Sequence, residues 1–147
     1  HCHTRRQRQM CIRDRSDDSG FIIDGSDNFP GIRTARLASD QGGVKNAIDY
    51  IFQKNNVPDS IEATFFCSIS YKDRENNIVA KGDIKGKIIH EPRGDNGFGF
   101  DPFFQPSGFD KTFAEMRLDK KLIISHRYKA FYAMTSQLSK VNSVIHN

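Results

Sequence analysis

The sequence predicts an α/β domain: a single mixed, twisted sheet flanked by helices, with an antiparallel hairpin forming a lobe of its own. Three observations predict it. Residues 44–54 (VKNAIDYIFQK) set Val44, Ala47, Ile48, Ile51 and Phe52 at helical spacing, so one face is apolar. Residues 61–71 alternate instead, with Ile61, Ala63, Phe65, Cys67, Ile69 and Tyr71 on one face of a β-rich run. Residues 118–141 return to a helical pattern. Strands and helices mix without a repeating unit, and no low-complexity linker marks a second domain.

Taken in order, Phe21-Ile22-Ile23 reads as a short buried strand after Gly20, and Phe29-Pro30-Gly31 as a turn. Asn55, Asn56 and Pro58 stop the first helix. Asp73 to Asn77 makes a polar turn and 78–89 resumes as one or two strands, closing the hairpin. A loop of Gly, Pro and Phe runs from about 91 to 109. A short turn of helix then leads to a longer helix starting near Ser125, an acceptable N-cap.

The 147 residues fit one domain, able to bury about two thirds of the surface the unfolded chain exposes. With 37% apolar and 27% charged residues, the composition is that of a globular protein, not a disordered or fibrous one. No apolar run approaches the roughly 18 residues of a membrane span, and no apolar stretch follows the N-terminal arginines as in a secretory signal. The net charge of +4 and pI near 9.0 point towards nucleic acid only until their distribution is considered. Residues 1–15 (HCHTRRQRQMCIRDR) hold five arginines and one aspartate; without them 17 basic and 17 acidic residues remain. Cys2 and Cys11 also lie there, which leaves Cys67 alone in the body and favours a reducing, cytoplasmic setting. His1-Cys2-His3 lacks a second ligand pair for a metal, a basic arm for nucleic acid is one alternative, and foreign sequence is the simplest reading of the leader. The expected domain is therefore residues 16–147.

Three constellations could carry chemistry. Ser16-Asp17-Asp18-Ser19-Gly20 offers two carboxylates and a hydroxyl to a hard cation such as Mg²⁺, although the same residues also suit a plain polar turn. In Pro92–Phe104 (PRGDNGFGFDPFF), three glycines within six residues permit close backbone approach to a ligand. Its phenylalanines either tuck into the core, the reading for Phe103 and Phe104, or stack on a planar ring such as a purine, the reading for Phe98. Finally, Lys120-Lys121-Leu122-Ile123-Ile124-Ser125-His126-Arg127 places cations at the start of a helix, where they oppose the helix dipole unless an anion is bound. A solvated basic face is the alternative there. Cys67 reads as core, and His90 as structural or surface.

DDSG, FPGIRTAR, PRGDNGFGFDPFF, KTFAEM and KLIISHR occur in this order over residues 16 to about 134. Together they resemble the signature of the inosine triphosphate pyrophosphatase family, enzymes that hydrolyse aberrant purine nucleoside triphosphates (ITP, dITP, XTP) to the monophosphate and pyrophosphate. The resemblance implies Asp18 as metal ligand and general base with Mg²⁺ as cofactor, and Ser19 touching the nucleotide. It implies Phe98 stacking on the base with Gly99, Phe100 and Asp101 completing the pocket. Phe100 stands where tyrosine is usual, so one hydroxyl is lost. Lys121 matches the family lysine, and His126 and Arg127 match the pair that recognises a 6-oxo purine. A homodimer acting on free nucleotide, without nucleic acid or membrane, is expected. The family's Ser/Thr-x-Asn-x-x-Lys phosphate loop and second acidic ligand have no match here, so the chain is expected to lack the phosphate-gripping half and to turn over little. Two other functions remain: a pyrophosphatase for other modified nucleotides, and a non-catalytic nucleotide- or RNA-binding module.

Overall fold

The alternating run in the middle of the chain builds the scaffold. In the computed structural model, which describes residues 14–145, β3 (Ser60–Lys72) and β4 (Asn77–Ile89) form one long antiparallel hairpin in unbroken register, from Ser60 opposite Ile89 to Lys72 opposite Asn77. Asp73 closes the turn. Its carboxylate accepts the Glu75 N–H, the Tyr71 hydroxyl and the Asn76 N–H, and these bonds, Glu75 first, hold it at about 2. β1 (Asp14–Ile23) runs antiparallel along the other side of β3, and β2 (Pro30–Gly31) pairs with β1 through Phe21 and Ile22 only. β5 (Phe104–Pro106) adds to β4, giving the order β2-β1-β3-β4-β5. The expected mixture of strands and helices is present, and every described strand pairing is antiparallel.

One face of the sheet carries the core. Phe21 and Ile23 from β1 and Ala63, Phe65 and Cys67 from β3 are buried there, as the period of two requires. Helix α2 (Val44–Asn55) lays Ala47, Ile48, Ile51 and Phe52 on one end of that face, the apolar stripe read from the sequence. It stops at Asn56, whose left-handed backbone (φ 52°) suits an asparagine C-cap. α4 (His126–Ile145) covers the far end through Ala130 and Met134, against Ile78 and Ala80. The preceding helix, α3 (Leu118–Ile124), buries none of its residues. Ser125 separates the two helices and caps the second, its hydroxyl accepting the Tyr128 N–H at 3.2 Å.

The structure extends the sequence reading in three places. The strand expected at 21–23 begins at Asp14, so Ser16-Asp17-Asp18-Ser19 is strand and not turn, and residues 14 and 15 of the expected leader belong to it. The rest of that leader, including His1-Cys2-His3, lies outside the described residues. A further helix, α1 (Thr34–Asp40), follows β2, and the 91–109 loop contains a 3-10 turn at Asp101–Phe103 before β5. Among the described residues no helix is long and apolar enough to cross a membrane.

Candidate functional site

Between the two helical covers the core face opens into a cavity of about 720 Å³. Its floor is Ser19 and Phe21 of β1 with Phe65 of β3; its walls are α1 (Thr34, Ala35, Ala38), the 98–101 segment, α3 and the start of α4. That volume lies within the range of small-molecule sites, about 300–1,000 Å³. The sequence-predicted residues Ser19, Phe98, Gly99, Phe100, Asp101, Lys121, His126 and Arg127 all line it.

The 98–101 segment is held in place without regular secondary structure. Gly97 and Gly99 take positive φ (79° and 61°), the freedom their residue type allows. Behind the loop runs the KTFAEM segment, with Thr112, Phe113 and Ala114 fully buried. Thr112 donates its hydroxyl to the Arg93 carbonyl (2.6 Å), and Asn96 donates its N–H to the Ala114 carbonyl (3.0 Å). Phe103 and Phe104 pack into the core, Phe104 stacking on Phe65 at 3.8 Å between centroids. Phe100 meets Phe21 edge-on at 5.0 Å, whereas Phe98 is left 66% exposed.

Phe98 is the one ring of the loop presented to the cavity mouth, and charge surrounds it. Asp101, 7% exposed, accepts the Phe98 N–H at 2.8 Å and the Lys121 ammonium at 2.5 Å through the same oxygen. The Lys121 Nζ lies 5.4 Å from the Phe98 ring centroid and the Arg127 guanidinium carbon 5.3 Å, both within cation–π range. His126 stands edge-on to Phe65 at 5.4 Å. Burial, helped by the neighbouring Arg127 cation, lowers its imidazole to about 4, so it is neutral at pH 7. A neutral imidazole presents one donor and one acceptor. The His126 Nδ1 is buried and has no hydrogen-bond partner among the described residues.

The two carboxylates of β1 part company. Asp17 shares the cavity face with Ser19 and Phe21; its Oδ1 accepts the Ser19 hydroxyl at 2.9 Å and the Cys67 thiol at 3.3 Å. Burial pushes that thiol up, as a core cysteine requires. Asp18 is exposed on the opposite face, beside Ser16, whose hydroxyl bonds that of Ser70 at 2.6 Å. Asp18 makes no side-chain hydrogen bond or ion pair among the described residues. No group of three or more His, Cys, Asp or Glu side chains suited to a metal occurs among them either.

Sequence reasoning missed the α1 wall and the rim residues Leu118, Leu122, Tyr128 and Phe131. Helical spacing on α3 and α4 could have placed the rim, because Leu118 and Leu122 lie four apart on one face. Away from the cavity, His90 finds a partner the sequence did not suggest: its Nε2 lies 2.8 Å from Asp49, and its ring packs on Phe52 at 4.8 Å.

The fold and the sequence both have counterparts among known proteins. The model of the Ham1 family matches residues 4–137. The chain is similar to the dITP/XTP pyrophosphatase of Thermococcus kodakarensis, with 40% identity over 126 residues that cover 84% of this chain and 64% of that protein. It is similar to the dITP/XTP pyrophosphatase of Bacillus cereus, 34% identical over 128 residues, covering 84% and 62%. Among solved structures, the Staphylococcus aureus Ham1 protein superposes with a TM-score of 0.76 and 32% identity, over 87% of this chain and 67% of that one. A HAM1 protein from Coxiella burnetii gives 0.77 and 29%, over 88% and 68%. The chain thus spans a little over three fifths of the length of these pyrophosphatase relatives, 62% to 64%.

Proposed function

The chain belongs to the Ham1 family, and from that premise we propose that it hydrolyses aberrant purine nucleoside triphosphates (ITP, dITP and XTP) to the monophosphate and pyrophosphate. One observation carries the reading: Phe98, the Asp101–Lys121 pair, neutral His126 and Arg127 converge on one cavity. A 6-oxo purine offers acceptors at its carbonyl and N7. Arg127 always donates, and His126 can donate from one nitrogen, so a carbonyl at position 6 is matched. The 6-amino group of adenine would set donor against donor. Phe98 stacks on the base, with Gly99 and Phe100 flanking it, and Ser19 lies at the sugar and phosphate side.

At the phosphate end the chain supplies carboxylates. Asp17 is engaged by Ser19 and Cys67, which leaves Asp18 as the carboxylate with no side-chain partner among the described residues. On the strength of the family resemblance we assign it the general-base role, its carboxylate standing on the sheet face away from the cavity: its oxygen takes a proton from water as that water bonds to the α-phosphorus and the bond from that phosphorus to the bridging oxygen breaks, releasing pyrophosphate. Mg²⁺ fits here in part: it is commonly held by one or two carboxylates together with phosphate oxygens and water, and Asp18 is one such ligand. When bound it neutralises the developing phosphate charge. The reading is completed by a cytoplasmic homodimer acting on free nucleotide without nucleic acid or membrane.

The test is a substrate panel. With Mg²⁺, the purified chain should bind ITP and XTP in preference to ATP, and the pyrophosphate it releases, however slowly, should follow the same order. Equal binding of ITP and ATP, or preference for a modified pyrimidine nucleotide, overturns the reading.

A further inference from the structure

Two glycines of β4, Gly82 and Gly86, point to the core face, and they meet different neighbours. A Cβ at Gly86 would run into β5, at the Gln105 carbonyl, the Phe104 ring and Pro106. A Cβ at Gly82 would run into the first turn of α4: it would collide with the His126 carbonyl oxygen and the Ala130 amide nitrogen and stand 2.7 Å from the Lys129 Cβ. Two of those three atoms belong to helix backbone, which cannot rotate aside as a side chain can. The seam is small on both sides, since Ala130 is fully buried over it and Cys67 lies opposite Gly82 on β3. Lys129 adds a strap, donating its ammonium to the Asp83 carbonyl at 2.8 Å.

We propose that Gly82 is a positioning residue: by carrying no side chain it lets the start of α4 seat directly on the sheet, and that seating sets the depth of His126 and Arg127 over the cavity. A methyl group at position 82 must lift the first turn of α4, because the colliding atoms are its own backbone. A lift of about 1 Å withdraws His126 from the Phe65 edge and moves Arg127 relative to Phe98. Misplacement of that size can cost on the order of 10²-fold in a reaction that depends on alignment. The consequence for purine discrimination rests on the function proposed above; the seating itself does not.

The experiment compares Gly82→Ala with Gly86→Ala, which adds the same methyl to the same strand against β5. The ring resonances of His126 are followed by NMR through a pH titration of the whole chain, and binding of ITP and ATP is measured by calorimetry. Expected for Gly82→Ala is a His126 midpoint raised from about 4 towards the ordinary 6.5, as the ring regains water, and an ITP-to-ATP affinity ratio reduced at least tenfold. Gly86→Ala, which reaches His126 only through Phe104 and Phe65, should move the midpoint far less. Should Gly82→Ala not fold, Ala130→Val crowds the same seam from the helix side and should move the midpoint likewise. A midpoint unmoved in a folded Gly82→Ala or Ala130→Val, or moved equally by Gly86→Ala, overturns the proposal. A moved midpoint with an unchanged affinity ratio upholds the seating and counts instead against the purine reading.

Discussion

The two ends of the candidate site are built differently. The end at Phe98 is enclosed and crowded: a buried carboxylate holds both a loop amide and a lysine, two cations flank an exposed ring, and burial keeps a histidine neutral. The end at Asp17 and Asp18 is an exposed length of strand with two neighbouring carboxylates on opposite faces. The difference teaches where each part of the chemistry is specified. On the proposed function, recognition of the ring would be preorganised by groups already in place, whereas at the other end the chain would contribute acid groups that act together with substrate and cation.

The sharpest test of that contrast is at the open end. Asp18→Asn should lower pyrophosphate release by about 10²–10⁴-fold, measured by a coupled phosphate assay, with ITP affinity shifted far less. Asp17→Asn should cost under about tenfold, because that carboxylate is already occupied by Ser19 and Cys67. If Asp17→Asn proves the costlier, the roles assigned to the two faces of β1 are exchanged.

At the enclosed end the largest effect is on stability. Lys121→Ala strands the buried Asp101 charge and should cost about 3–5 kcal/mol in urea unfolding. Pairing Lys121→Met with Asp101→Asn should recover most of that loss, since neither partner is then left as an unpaired charge. A Lys121→Ala chain as stable as the wild type would mean that water reaches Asp101 and that this end is as open as the other.

Phe98→Ala separates recognition from folding within one loop. Being largely exposed, Phe98 should leave the urea midpoint nearly unchanged, within about 0.5 kcal/mol, while ITP binding by calorimetry weakens roughly tenfold. Acid probes the same end through His126. His126 has its folded value lowered to about 4, so between roughly pH 6.5 and 4 the unfolded chain binds a proton there that the folded chain does not. Stability from this group is complete above pH 6.5 and declines as pH falls through that window. Urea midpoints at pH 7 and pH 4.5 should therefore converge in His126→Gln compared with the wild type.

What was legible in the sequence follows from how strongly each segment is buried on one side. The stripe of α2 and the alternation of β3 were plain because Ile48, Ile51, Ala63 and Phe65 all meet one core. The first part of β1 was not: among the described residues Asp14 to Gly20 pairs with β3 alone, and polar residues occur where a strand buried on both sides would exclude them. α1 left no signal either: seven residues long, it buries only Thr34 and has no side-chain cap. Thr34 matters through bonds that spacing cannot reveal, accepting the Phe21 N–H at 3.1 Å and donating to the Gly31 carbonyl at 2.6 Å. For the site, residue types and their order identified eight of the cavity-lining side chains and glycines, from Ser19 to Arg127. Which carboxylate of the Asp17–Asp18 pair faces the cavity depended on the segment being strand, and the sequence had left it as a possible turn.

The ties that run from the Phe98 loop to the buried Thr112–Ala114 segment and to Lys121 have a consequence for exchange with solvent. A loop fastened at Arg93, Asn96 and Asp101 cannot open alone; its amides should exchange with the core strands, as part of one cooperative unit, despite the absence of a ladder. The ordering of that loop is then completed when the chain folds. A ligand arriving at Phe98 meets a ring already presented to it, and its binding entropy carries no charge for loop closure.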